Sequence, residues 1–311
     1  MSYVFGPVAS RRLGRSLGVD LVPYKTCPYD CVYCQLGCTT EKTVERGDWT
    51  PIDTVLGELA AKLSLKPDYI TLGGSGEPTL NLGIGRLIRE IKKMTDTPVA
   101  VLTNGALLWQ PEVREELLEA DLVCPSLDAG DEQVFQAVNR PHTGLAFAQM
   151  LEGLIEFRRQ FRGQYWLEVL LVAGHTDHEE AVRKVAACAR RIRPDRVQLN
   201  TVTRPPAESD VRGVGPERME AFAAMFDPPA EVVAEFRGPE TQNSRPVTRE
   251  DVLDMVRRHP CSLEEIATGL GAARNLVAGH LEALLDAGAL HQTTHEGIPQ
   301  YRAWGEALRE E

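Results

Sequence analysis

The sequence predicts an α/β fold of about six strand-and-helix units joined to a smaller carboxyl-terminal unit of helices and a β-hairpin. Three observations predict it. Short apolar runs alternate with amphipathic stretches from residue 52 to residue 202, which argues for parallel βαβ units. Those runs are apolar nearly throughout, as suits strands covered on both faces. Past Thr203 prolines and charged residues become frequent, and from Val247 onward the pattern is helical again. The expected division is residues 1–240, a linker at 241–246 and a second domain at 247–311.

Taken in order, residues 52–65 read as an amphipathic helix, with apolar side chains at Ile52, Val55, Leu56, Leu59 and Leu63. Tyr69, Ile70, Thr71 and Leu72 form a strand-like run that stops at Gly73, Gly74, Ser75 and Gly76. Residues 84–94 are helical in pattern. Residues 99–102 are strand-like and end in the turn signal Thr103, Asn104, Gly105. Pro111 suits a helix start, where its missing N–H would lack an intrahelical partner anyway. Residues 122–127 are the next strand. Helical material begins at Glu132 and again over residues 146–161; residues 165–172 are a strand, 178–192 a helix and 196–202 a strand.

In the carboxyl-terminal unit, residues 249–258 form one helix. Ser262 with Glu265 three residues later is a capping box for a second. Residues 272–287 form a third, closed by Gly288, and residues 290–303 a hairpin around Glu296 and Gly297. Three helices and a hairpin resemble a winged helix-turn-helix domain. Its recognition helix would open with Ala272, Ala273, Arg274 and Asn275, beside Glu282 and Asp286. So few donors weigh against DNA as the partner. Docking of a protein or of the substrate is favoured, with direct RNA contact still open.

The chain has 311 residues, 43% of them hydrophobic, and a net charge of −11. That balance does not suggest broad binding along a phosphate backbone, which needs clustered Lys and Arg. No apolar run approaches the roughly 20 residues that span a bilayer. The amino terminus lacks a basic region followed by an apolar stretch, so a cytoplasmic location without membrane insertion is expected.

Cys27, Cys31 and Cys34 form a CxxxCxxC triplet with Tyr33 just before the last cysteine. Three thiolates in one loop suit a soft metal or an iron–sulfur cluster. Three is one ligand short of a closed [4Fe–4S] cluster, so one iron would stay open to a non-protein ligand. Zinc would usually show four Cys or His ligands; Cys38 is the one further thiol nearby, and it would crowd all four into one loop. Disulfides suit small secreted domains. Cys124, Cys188 and Cys261 lie in apolar contexts and read as core residues.

The triplet resembles the signature of the radical S-adenosylmethionine (SAM) superfamily. The resemblance implies a partial six-unit (β/α) barrel. It also implies a [4Fe–4S] cluster on Cys27, Cys31 and Cys34 and SAM chelated to the open iron by its amino and carboxylate groups. Tyr33 would pack near the cluster, its backbone reading the adenine edge. Gly74, Ser75, Gly76 and Glu77 resemble the Gly-Gly-Glu motif that receives the SAM ammonium, with Ser75 inserted. Thr103 and Asn104 end one strand, Ser126 and Asp128 the next; they can hold the SAM carboxylate and ribose or simply bond their own turns. Glu168 sits inside a strand, where a charge is costly unless paired, so a ligand role is open; Asn200 is a weaker candidate of the same kind.

Phe5, Gly6 and Pro7, then Ser126, Leu127 and Asp128, then Asn139, Arg140 and Pro141 together resemble the wyosine-synthetase-related group of that superfamily. The second cluster and RNA elements usual in its named synthetases are not evident here. Arg11 and Arg12 fit either a phosphate or carboxylate clamp or salt bridges at the barrel rim. The implied activity is electron transfer from a flavodoxin or ferredoxin into the cluster and reductive cleavage of SAM to methionine and a 5′-deoxyadenosyl radical. That radical then takes hydrogen from an unidentified substrate: a nucleobase in RNA, a peptide or a small metabolite. The alternative is a regulator that senses SAM or redox state and binds DNA through the winged helix.

Overall fold

The structure, a computed structural model, describes residues 2–10, 12–233, 247–258, 260–272, 274–295 and 297–303. Arg11 and the expected linker lie outside the described residues. The chain opens as an antiparallel ribbon, β1 (Val4–Ser10) against β2 (Gly14–Val19). Two short strands, β3 (Thr26–Cys27) and β4 (Glu41–Lys42), bracket the cysteine loop. Alternation follows: α1 (Ile52–Lys62), β5 (Tyr69–Leu72), α2 (Ile84–Met94), β6 (Val99–Thr103), α3 (Pro111–Leu117) and β7 (Leu122–Pro125). Next come α4 (Glu132–Val134), which runs into a π-helical turn at Phe135–Asn139, then α5 (Phe147–Gln160), β8 (Gln164–Leu171), α6 (Glu179–Ile192) and β9 (Arg196–Thr201). Helix α7 (Pro216–Ala223) and β10 (Glu231–Val232) follow.

Among the described residues these strands form one sheet in the order β1-β2-β5-β6-β7-β8-β9-β10. From β2 to β10 every neighbouring pair is parallel, and only the β1 edge is antiparallel. The two end strands do not pair with each other, so the sheet is open, consistent with a partial barrel. Ile70, Leu72, Val99 and Val101 are fully buried. Helix α2 covers them with Ile84, Leu87, Ile88 and Ile91, spaced at the helical period. Their parallel order puts the carboxyl ends of all the central strands on one rim, where the candidate residues collect.

The strand expected at residues 122–127 stops at Pro125, because Ser126 leaves the ladder and makes only a single bridge to Glu168. The ribbon β1–β2 was not predicted: Gly6, Pro7 and Gly14 break its alternation, and β1 carries a bulge between Phe5 and Val8.

The carboxyl-terminal unit holds α8 (Arg249–Val256), α9 (Leu263–Leu270), α10 (Arg274–Asp286) and the hairpin β11 (Leu290–His295) with β12 (Ile298–Ala303). Its own core gathers Val252, Val256, Ile266, Val277, Leu281 and Leu290. The expected capping box forms: Ser262 Oγ accepts from the Glu265 amide, and Glu265 Oε2 accepts from the Ser262 amide at 2.8 Å. A second box, Thr248 with Asp251, starts α8. Helices α8 and α9 pack on β1, and Val8 reaches into the second core, so the unit is joined to the sheet edge.

Candidate functional site

The cysteine loop is held by backbone hydrogen bonds on two sides. Its backbone runs beside residues 138–142, with Asp30 N–H donating to Asn139 O at 3.0 Å, Val32 N–H to Val138 O at 3.0 Å and His142 N–H to Pro28 O at 2.8 Å. On the other side Lys25 N–H donates to Ser75 O at 2.6 Å and Glu77 N–H to Thr26 O at 3.1 Å. Gly74 and Gly76 make that closeness possible: a Cβ on Gly74 would lie 2.1 Å from Asp20 Oδ1, and one on Gly76 2.1 Å from Thr26 O.

Each of the three sulfurs receives its own N–H donor. Lys25 Nζ lies 3.1 Å from Cys34 Sγ, Asn104 Nδ2 3.3 Å from Cys27 Sγ, and Asn139 Nδ2 3.5 Å from Cys31 Sγ. The donors come from the loop itself, from the end of β6 and from the π-helical turn. Burial, helped by the Glu77 charge, pushes the Cys27 thiol up to about 12, and burial raises Cys31 well above its ordinary value. A bound cation would have to displace those protons. Among the described residues no group of three or more His, Cys, Asp or Glu is placed to hold one metal ion. Cluster thiolates each bind a different iron and stand further apart than ligands of a single ion, so this spread is no obstacle to a cluster. Beside the sulfurs, Tyr29 is 3% exposed, its ring edge-on to Phe135, and its hydroxyl has no hydrogen-bond partner among the described residues. It stands amid Cys31, Glu77, Cys27 and Asp128. A donor set of three cradled thiols and an orphaned buried hydroxyl fits a group larger than a water molecule.

The acids are braced by hydrogen bonds within the fold. Glu77 is 2% exposed; Oε1 accepts from Thr79 N at 3.1 Å, Thr79 Oγ1 at 2.6 Å and Thr103 Oγ1 at 2.6 Å, and Oε2 accepts from Asn104 N at 2.7 Å. Burial pushes its carboxyl up, and those donors pull it back toward the charged form. It ties the end of β5 to the end of β6. Asp128 is a hub of the same kind. It accepts from Leu170 N at 2.9 Å, Asn139 Nδ2 at 2.9 Å and the Tyr33 hydroxyl, so Tyr33 is fixed through its phenol. Glu168 is paired with Arg12 at 3.0 Å and accepts from Asn200 Nδ2 at 3.1 Å. Burial opposes the Arg12 charge, but the Glu168 carboxylate more than offsets it and holds the guanidinium above its ordinary value. Of the two readings of Arg12, the geometry matches the rim salt bridge.

Of the predicted residues, Cys27, Cys31, Cys34, Tyr33, Glu77, Thr103, Asn104 and Asp128 are linked by these bonds around the strand ends. Gly74, Ser75 and Gly76 line the turn against residues 20–26. Ser126 and Glu168 lie one step away, joined by their bridge. Cys38 is exposed, whereas Cys124, Cys188 and Cys261 are buried as expected. Sequence reasoning missed Tyr29, Lys25 and Asn139 as members of the site. Lys25 offered a signal, a lysine two residues before the first cysteine; Asn139 stood in the Asn139, Arg140, Pro141 motif, but its contact with Cys31, 108 residues away, is closed only by the fold.

A profile of the Radical SAM superfamily matches residues 21–186, which is more than half of the chain and spans the triplet and the strands around it. The chain belongs to the radical SAM superfamily. It is therefore an enzyme of that superfamily, whose members typically bind a [4Fe–4S] cluster and SAM. A UPF0026 protein of Methanocaldococcus jannaschii is 32% identical over 306 residues, covering 96% of this chain and 94% of its own. A protein named GTPase Obg from Brachyspira hyodysenteriae is 39% identical over 303 residues; this chain spans 45% of its length. Among solved structures, a radical SAM methyltransferase from Sphaerobacter thermophilus superposes with TM-score 0.55 at 16% identity, covering 71% of this chain and 65% of that one. What that structure shares with this chain is the fold.

A cleft of about 890 Å³ lies elsewhere, between the carboxyl ends of α5 and α6 and lined by arginines that include Arg158, Arg162, Arg190 and Arg193. Helix ends at that position lie opposite the strand carboxyl ends, away from the cysteines.

Proposed function

We propose that Cys27, Cys31 and Cys34 hold a [4Fe–4S] cluster and that SAM binds beside it, over the carboxyl ends of β5, β6 and β7. The observation that carries this reading is the cradle: three thiols in one loop, each supplied with an N–H donor from a different segment. When bound, the cluster and SAM supply reductive cleavage of a carbon–sulfur bond and a carbon-centred radical for hydrogen abstraction. The chain's own residues orient and protect. Lys25, Asn104 and Asn139 donate to the sulfurs, which stabilises their anionic form and tunes the potential. The turn at residues 73–76 brings bare backbone close to the ligand, and Glu77 and Asp128 lock the strand ends that form the pocket. Thr103, Asn104 and Ser126 are the candidates to hold the SAM carboxylate and ribose. Tyr29 offers its hydroxyl as a further donor.

The electron donor is of flavodoxin or ferredoxin type, and the compartment a reducing one such as the cytoplasm. Among the described residues no helix is long and apolar enough to cross a membrane. The three helices and hairpin form a winged helix-turn-helix domain over residues 247–311, after a partial barrel at 1–240 and a linker at 241–246. The wyosine-synthetase-related group is the branch that the sequence motifs favour, with an RNA base or a peptide as the substrate class. The regulator alternative gains nothing from the geometry: Arg274, which opens α10, is paired with Glu264 at 3.0 Å. The test is anaerobic loading followed by reduction with SAM. The reading expects 5′-deoxyadenosine; a fully loaded protein that yields none contradicts it.

A further inference from the structure

The carboxyl-terminal unit touches the candidate site at three places, each through an arginine. Arg258, which follows α8, donates from Nε to Asp20 Oδ2 at 3.2 Å and lies over the Phe5 ring at 3.9 Å from its centroid. The other oxygen of Asp20 accepts the Ser75 amide at 2.8 Å. Arg204, after β9, donates to Glu265 in α9 at 3.0 Å and to Gln35 Oε1, next to Cys34, at 2.7 Å. Arg302 in β12 donates to Leu36 O at 3.0 Å. The first two pairs are half-buried, with side chains 10 and 14% exposed for Arg258 and Asp20, and 15 and 17% for Arg204 and Glu265.

We propose that this unit completes the SAM pocket: Arg258, acting through Asp20, positions the Ser75 amide and the turn at residues 73–76, and Arg204 with Arg302 positions the chain leaving Cys34. The idea rests on the reading of that turn as part of the SAM site, and it assigns Arg258 and Asp20 as positioning residues. The physical argument is the cost of a lone charge that is largely withdrawn from water. Without Arg258, the Asp20 carboxylate would stand nearly buried and uncompensated. It would turn toward solvent or take up a proton, and either change loosens its hold on Ser75. Gly74 packs directly against Asp20 Oδ1, so movement of that oxygen moves the turn. The arrangement also means that a partner that draws the unit away from β1 would weaken SAM binding.

The test compares R258Q, R258K, D20N and D20N/R258Q with the wild type, and uses R257A as a control on an exposed neighbour. Amide exchange on the protein as isolated needs no cofactor. Faster exchange over residues 73–77 is expected in R258Q and D20N, with R258K intermediate and R257A unchanged. In the loaded enzyme, iron per chain should be retained while KM for SAM rises about 10- to 100-fold, the range seen when groups that orient a ligand are removed, with kcat nearly unchanged. The double variant should be no worse than R258Q, because both changes break one relay. If R258Q loosens α8, α9 and α10 as a whole, R258K and D20N carry the comparison. Unchanged exchange over residues 73–77 and unchanged KM in those two variants overturn the proposal, as do strictly additive effects in the double. A wild type that makes no 5′-deoxyadenosine would instead remove the function proposed for the site, while the exchange data still decide the relay.

Discussion

Three sulfurs and their donors define the centre at the scale of single residues. Changing Cys27, Cys31 or Cys34 to Ala should each reduce iron per chain to near background after anaerobic loading, while Cys38→Ala should leave it unchanged; metal analysis reads both. Tyr29→Phe separates a ligand role from a packing role. The hydroxyl has no partner among the described residues, so its loss should cost no stability, since an unsatisfied buried group is penalised by about 1–3 kcal/mol. If the hydroxyl waits for a ligand, SAM or substrate should bind several-fold more weakly while the thermal midpoint holds or rises. At this scale the cysteines were legible because their spacing is local. Glu77 was singled out by its motif, but its partners Thr103 and Asn104 come from another strand, so its bracing role was not legible. Glu168 looked like a lone charge in a strand for the same reason: Arg12 lies 156 residues away in the chain.

At the scale of elements, the helices with strong local signals were read closely. Helix α2 matches its expected bounds, and the Ser262 box forms as predicted, because period and capping are properties of contiguous sequence. Ser262→Ala should cost about 1 kcal/mol of stability, measured as the shift in denaturant midpoint. Asp131 caps α4 and gives a pH-dependent case. The Val134 amide, with Lys184, holds its carboxyl below the ordinary Asp range. A lowered folded value means the contribution is complete above the ordinary range and is lost as pH falls through the lowered one. Wild type should therefore exceed Asp131→Ala by about 1 kcal/mol at neutral pH, and the gap should close below about pH 4. An equal gap at pH 7 and pH 3 would refute this. The ribbon β1–β2 was hidden because its pairing depends on a bulge and a partner strand rather than on alternation.

Across the whole molecule, an open parallel sheet carries the site on one rim, and a second unit closes against its antiparallel edge. The alternation of apolar runs and helices made the first half of that statement legible. Docking of the second unit was not, since Arg258 and Asp20 are 238 residues apart and only the fold brings them together. Cofactor loading should stabilise the folded state, because a cluster held only by the folded loop shifts the equilibrium by mass action. The thermal midpoint should rise on anaerobic loading and fall again on chelation. The most direct measurement is Mössbauer spectroscopy of the loaded, oxygen-protected protein with and without SAM. The account predicts about four irons per chain in a [4Fe–4S] cluster, with one iron site altered when SAM is added. Iron that fails to bind, zinc retained in the loop, or a cluster whose irons all ignore SAM would contradict it.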